Sequence, residues 1–467
     1  ILGVPLACRF FPYRLKWLLS CSYAEKSPIV LHLTRYSWIS GLAGIVMLHA
    51  LSFWYFAGAI DKNGWGFGRF LITTNKHQDT LLILLITALT MFCIELFIRI
   101  RVDGQPIISL NPKLRERAYF PFLIESLLHL IGPLTLLLVA KGFYATAIAY
   151  NNSANGVRFI VWTDVFPLIF VGALFFLPAY VLLTRALQHD VKGDAKEISF
   201  LPFLLICRTL LRFTPWQNRL ESALRRHMGT SQDYDVKQAI LGLLVKVFFV
   251  PIMTVFFFDQ FESLQKNWGY IYGNMATAHS TGNAVTKIKD FYNISFSMIF
   301  LVDVGLAWCG YVFASRWIRN TIESTEPTFL GWFVALMCYP PFSVFLDFYY
   351  VHPGDHDFLQ FNNTYLIITL AILAVMSYII YVSATVFFGL RFSNLTNRGI
   401  ITRGPYAFIR HPAYMAKNLS WWLVMLPVIL IQAFQQNNPV LLTQILSLVI
   451  MTGLYYYRAI TEERHLA

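Results

Sequence analysis

The sequence predicts an all-α, polytopic transmembrane helical bundle with about ten spans, both termini cytoplasmic, and amphipathic helices lying in the membrane interface. Three observations carry that expectation. Of 467 residues, 57% are hydrophobic and only 13% charged, where a soluble domain carries roughly 25% charged residues. Apolar stretches of about 20 residues, enough to cross roughly 30 Å of hydrocarbon as helix, recur from one end of the chain to the other. The basic residues flank these stretches and form no single patch, so the net charge of +12 reads as membrane topology and argues against a nucleic-acid partner.

In chain order the expected spans are 38–60, 80–98, 119–140, 159–183, 236–258, 291–315, 329–350, 364–389, 418–434 and 439–457. Pro121 and Pro133 interrupt the third, and Pro340-Pro341 break or kink the seventh. With the N-terminus inside, 28 of the 37 Lys and Arg residues fall on the inner face, eight in outer loops and one, Lys246, within a span. Counting acidic groups as well gives +15 inside, +1 outside and −4 within the spans. That asymmetry follows the positive-inside rule and would draw the inner face to anionic headgroups. Residues 197–228, which interleave Leu, Phe and Trp with five arginines, have the pattern of an interfacial helix, as residues 9–36 do more weakly. The chain opens at Ile1 rather than Met and ends at Ala467, and further residues are expected at both ends. Six cysteines without metal spacing or a disulfide framework read as free thiols.

Two stretches concentrate chemistry. Residues 397–422 hold Arg398, Arg403, Arg410, His411 and Lys417 among Tyr406, Phe408 and Tyr414. Gly404-Pro405 marks a turn and Pro412 suits the first turn of a helix, which places His411 and Tyr414 at a helix N-terminus, where carboxylates are attracted. Residues 455–467 close the chain with three tyrosines, then Arg458, Glu462, Glu463 and Arg464. Arg458 and Glu462 share a helical face. Adjacent carboxylates at a membrane surface need a cation or hydrogen-bond donors, and a ligand ammonium would serve.

These stretches resemble the integral-membrane S-adenosylmethionine-dependent methyltransferases of the isoprenylcysteine carboxyl methyltransferase and phospholipid N-methyltransferase type. The shared pattern is Gly404-Pro405-Tyr406, then Arg410-His411-Pro412-Ala413-Tyr414, then Glu462-Glu463 after the next helix. It covers roughly residues 365–467 and implies two regions, a methyltransferase-like module over 364–467 and a region of unassigned role over 1–363. By the resemblance, Gly404, Tyr406, His411 and Tyr414 would hold the carboxylate and sugar end of S-adenosylmethionine, and Glu462 or Glu463 its ammonium. Arg410 and Arg458 are the candidate catalytic residues, positioning an acceptor carboxylate or phosphate. Arg398, Arg403 and Tyr406 also fit the pattern of interfacial anchors. Two departures stand out. The family usually has Gly two residues after the motif Tyr, where this chain has Ala416 followed by Lys417. The family also usually continues past its Glu pair with a helix and a Tyr-rich tail, so that tail lies beyond Ala467 or the site is incomplete.

The implied activity is methylation of a lipid-soluble or lipidated acceptor, with membrane lipids and membrane proteins as partners. A non-catalytic subunit built on the same module is the alternative. A transporter reading rests on the ionisable residues in spans: Glu95, Glu125, His129, Asp164, Lys246, Asp303 and Asp347. Asp164 and Asp303 are the candidate partners for Lys246. His352-Pro353-Gly354-Asp355-His356-Asp357 reads as a solvated turn in preference to a metal site.

Overall fold

The computed structural model describes residues 34–60, 76–103, 109–110, 119–146, 165–188, 233–276, 284–343, 353–435 and 444–466. Its helices are α1 (Ser37–Ile60), α2 (Lys76–Asp103), α3 (Tyr119–Thr146), α4 (Phe166–Ala186), α5 (Asp233–Ala276), α6 (Ala284–Val312), α7 (Phe329–Leu336), α8 (Thr364–Phe388), α9 (Pro412–Gln435) and α10 (Gln444–Leu466). Seven of the described helices are long and apolar enough to cross a membrane: α1, α2, α4, α5, α6, α8 and α9. The protein is thus an all-α, polytopic helical protein, as its composition predicts. The interfacial stretches 197–228 and 9–33, with Asp164 and Asp347, lie outside the described residues, as do the side chains of Glu125 and His129.

Two element boundaries depart from expectation. Helix α3 runs through Pro121 and Pro133 without a break. The stretch expected as one span over 329–350 instead begins with the eight-residue α7 and turns at a cis Pro340-Pro341 bond. Thr328 caps α7, its hydroxyl accepting from Gly331 N at 3.1 Å. An eight-residue helix rises only about 12 Å, so α7 alone spans nothing. The described residues on either side of 344–352 nevertheless stand at opposite ends of α6. Tyr339 lies near Asn394, whereas the Asp355 carbonyl accepts from Tyr292, near the start of α6.

Two short antiparallel ribbons tie the loops together. Strand β1 (Ser109–Leu110) pairs with β2 (Leu187–Gln188), and β3 (Ser324–Thr325) with β4 (Thr396–Asn397). Each ribbon joins two loops that the charge count assigns to the same face.

Helix α6 is shared by the two hydrophobic clusters of the described residues. From Leu301 to Tyr311 every residue is buried, a helix covered on all sides. One hydrophobic cluster packs α6 with α1, α2 and α5, through Leu48, Met91, Phe257 and Leu306. A second packs α8, α9 and α10 together, through Ala374, Val424, Val428 and Leu448, with Phe296 and Phe300 of α6 against it. Within a bilayer such contacts are stabilised by close packing and internal hydrogen bonds more than by hydrophobic transfer, which favours small residues at crossings. Gly310 is such a residue: a Cβ there would lie 2.4 Å from the Phe392 carbonyl oxygen. Gly310→Ala is therefore expected to destabilise the protein by about 2 kcal/mol, read as a lowered thermal midpoint in detergent. Gly453→Ala on α10, where a Cβ meets no atom within 4 Å, is expected to leave that midpoint unchanged or raise it.

Candidate active site

Beside the 389–398 segment, the polar ends of α8, α9 and α10 enclose a cavity of about 670 Å³, its open mouth included. Helix α8 contributes Tyr381, Thr385 and Phe388 to the lining, and the following segment Phe392, Ser393 and Asn394. The expected block contributes Tyr406, Arg410, His411 and Tyr414. Helix α10 contributes Tyr455, Arg458 and Glu462, and the turn after α7 contributes Tyr339.

Six of the eight residues singled out in sequence thus line one cavity. Gly404 and Glu463 stand just behind it. Gly404 has a φ of +61° and begins the 3-10 turn Gly404–Ala407, with Pro405 in its first turn; a Cβ there would meet the Phe387 ring at 2.4 Å. Its part is to form the turn that aims Tyr406, whose ring packs edge-on against Phe388 at 5.1 Å. Helix α9 starts at Pro412, as its fixed φ and missing N–H favour.

The Glu pair is neutralised by the chain itself. Glu463 accepts from Arg410 Nη1 at 3.3 Å and faces His411 Nε2 at 3.2 Å. Glu462 accepts from the Tyr414 hydroxyl at 2.8 Å and lies 3.7 Å from His411 Nδ1. The His411 ring stacks on Tyr414, centroids 5.4 Å apart and 2° from parallel. Burial pulls the His411 pKa down, but the hydrogen bond to Glu463 and the charges of both carboxylates outweigh it and hold the pKa above 6.5. The same hydrogen bond, helped by the nearby Arg410, holds the Glu463 carboxyl below its ordinary range against the effect of burial. Of the two carboxylates offered for a ligand ammonium, only Glu462 reaches the cavity wall.

Arg458 is 6% exposed and donates to Asn394 Oδ1. Its guanidinium lies over the rings of Tyr414, Tyr455 and Tyr339, at 5.0, 5.7 and 5.9 Å. Asn394 is held from both sides: its side-chain amide donates to the Tyr339 hydroxyl at 3.1 Å and its backbone N–H to that of Tyr311 at 2.8 Å. Across the cavity, Lys417 Nζ lies 5.3 to 6.0 Å from the ring centres of Trp421, Tyr381 and Tyr455. Behind Lys417, Asp303 accepts from Tyr381 at 2.6 Å and from Thr385.

Sequence reasoning missed Tyr339, Tyr381, Thr385 and Asn394. The one available signal was the need of Arg458 for an acceptor, which says nothing of where in the chain that acceptor lies. Two expectations change, those for Arg398 and Asp303, and the turn expected over 352–357 is found in its described residues, 353–357. Arg398 is no interfacial anchor but a buried group, 2% exposed, donating to the Gly310 carbonyl at 2.6 Å. Asp303 serves Tyr381 and Thr385, with Lys417 as its neighbouring cation, and does not pair with Lys246. His356 and Asp357 are engaged by Asn293 at 3.0 Å and by Gly354 N–H at 2.7 Å, the contacts of a built turn.

The signs of the two shifts define a pH window. His411, with a raised pKa, contributes stability that is complete below 6.5 and lost as pH rises through its raised value; Glu463, with a lowered pKa, loses its contribution only as pH falls through its lowered value. The contribution of this pair to thermal stability is expected to fall above pH 6.5 by less than about 1 kcal/mol, since Glu463 is well exposed to solvent. It is read as the difference between wild type and His411→Gln, because His356 and His465, whose pKa values are lowered, act in the opposite sense. In His411→Gln that fall should vanish.

Comparison with curated proteins and with solved structures finds no match. Residues 366–467 match the isoprenylcysteine carboxyl methyltransferase family. The matched segment is the one that supplies α8, the turn at Gly404, α9 and α10, and with them all of the cavity lining except Tyr339. The C-terminal segment of this membrane protein is therefore of the isoprenylcysteine carboxyl methyltransferase type.

Proposed function

We propose that this protein transfers a methyl group from S-adenosylmethionine to a lipid-soluble or lipidated acceptor at the cytoplasmic face. The observation that carries this reading is the placement of Glu462, backed by Tyr414 and flanked by Arg410 and His411, at the wall of an aromatic cavity within the family-matched segment. The side chains present suit the cofactor. Glu462 offers a carboxylate to its ammonium, Arg410 a guanidinium to its carboxylate, and the tyrosine faces an environment that favours a cation. When bound, S-adenosylmethionine supplies an electrophilic methyl group on a sulfonium. Methyl displacement is in-line and needs orientation and exclusion of water more than proton transfer. Arg458 and Lys417 make the inner part of the cavity cationic, which suits an acceptor that bears a carboxylate or phosphate; the fork of Arg458 would orient it. An apolar acceptor would enter laterally from the bilayer, and the +15 balance of the inner loops favours the cytoplasmic side for the site and for both termini.

Calorimetry with S-adenosylmethionine on purified full-length protein tests the cofactor. Glu462→Gln is expected to weaken binding at least tenfold, Glu463→Gln much less, and the His411→Ala, Glu462→Gln pair to abolish it. Absence of binding by the intact protein would overturn the reading. Arg458→Lys keeps the charge and loses the fork, so the acceptor KM is expected to rise about tenfold with cofactor affinity unchanged.

A further inference from the structure

A second cluster of cations lies apart from the cavity, between the β3–β4 ribbon and α5. Arg391 and Arg398 are each 2% exposed. Arg391 Nη1 donates to the carbonyls of Arg319 and Arg398, at 3.2 and 3.1 Å, and Arg398 Nη1 to that of Gly310. The Nε and Nη2 atoms of both arginines are buried and have no hydrogen-bond partner among the described residues. Glu95 and Glu323 attract Arg391 from a distance, but among the described residues neither arginine has a carboxylate within ion-pair range. Buried guanidinium donors left dry are costly, and native structures rarely keep them so.

The groups around them are donors too. Thr325 and Thr396 are register partners across the ribbon, and both hydroxyls are buried without a partner among the described residues. As register partners the two threonines share one face of the ribbon, and Arg398 follows two residues after Thr396. That face meets α5: Gln238 Oε1 accepts from Thr325 N at 2.6 Å, and a Cβ at Gly242 would lie 3.3 Å from Thr325 Oγ1. Gln238, Gly242 and Lys246, spaced by four, form one stripe of α5. Lys246 and Arg398 repel one another, and among the described residues Lys246 has no hydrogen bond or ion pair of its own.

We propose that Lys246, Arg391, Arg398, Thr325 and Thr396 form a subsite for a phosphate-class oxyanion. Two guanidinium groups, an ammonium and two hydroxyls supply the donors a tetrahedral oxyanion requires. The depth fits a lipid phosphate. The apolar part of α5, Ile240–Ile271, has 32 residues, about 48 Å of helix. Against roughly 30 Å of hydrocarbon that leaves about 9 Å at each end. Lys246, six residues from its start, lies at the boundary between hydrocarbon and headgroups. The phosphate belongs to a phospholipid headgroup or to a free phosphoryl compound.

The test uses purified, delipidated full-length protein in non-ionic detergent, with thermal unfolding as the readout. Inorganic phosphate is titrated in one arm and phosphatidylglycerol in the other, on wild type, Lys246→Gln and Arg398→Gln. A phosphate-bearing probe is expected to raise the wild-type midpoint, and Lys246→Gln to need about tenfold more of it. A response to phosphatidylglycerol alone identifies a headgroup; a response to inorganic phosphate identifies a free phosphoryl ligand. Should Arg398→Gln fail to fold, the partly exposed Lys246 carries the comparison. If neither probe moves the wild type, or Lys246→Gln responds as wild type does, the subsite does not exist. S-adenosylmethionine binding by Lys246→Gln is expected to be unchanged, which separates this outcome from that of the cavity.

Discussion

The seam between the end of α6 and the 389–398 segment is the contact on which the rest depends. Gly310 lets the Phe392 backbone approach closer than any side chain would permit, and the Gly310 carbonyl in turn takes the Arg398 guanidinium. Tyr311, the next residue, receives the backbone N–H of Asn394. Asn394 then holds Arg458 on the last helix. A chain of short contacts thus runs from the buried helix α6 to Arg458 on the last helix. In a membrane, where backbone groups find no water, a non-helical segment at this level is tolerated because protein on all sides satisfies it.

The cavity is lined by charges of both signs, Arg458 and Glu462, one turn apart on α10. Tyr414 stands between them, its hydroxyl donating to Glu462 and its face turned to Arg458. Two adjacent carboxylates at the end of α10 would repel one another in isolation. Arg410 and His411 remove that penalty at Glu463 and leave Glu462 at the cavity wall. The C-terminal turn that carries them is also tied to the other half of the chain. Ser324 bonds to His465 at 2.9 Å, and the Glu326 carboxylate lies 3.9 Å away. Burial holds the His465 pKa below 6.5.

The matched segment is therefore not self-sufficient. Tyr339 lines its cavity, Tyr311 fixes Asn394, and Asp303 anchors Tyr381 and Thr385, all from outside residues 366–467. A division of the chain at 363 describes similarity of sequence. Packing ignores that line, since α6 is shared by the cores on both sides of it.

What the sequence determined by itself is local or periodic. Apolar runs specify the spanning helices, Gly404-Pro405 a turn, Pro412 a helix start, and the spacing of Arg458 and Glu462 a shared face. Each depends on neighbours within a few residues, so it can be read along the chain. What only the tertiary structure decided is pairing. Which carboxylate of Glu462 and Glu463 reaches the cavity, that Arg458 seeks Asn394, that Asp303 serves tyrosine and threonine instead of Lys246, and that Arg398 is buried all depend on residues 48 to 88 positions apart. A polar side chain in a membrane protein must find a partner, but that requirement names a chemistry and no position. The position is set by how closely the helices approach, and at this site that closeness comes from Gly310, whose missing side chain has no periodic signature.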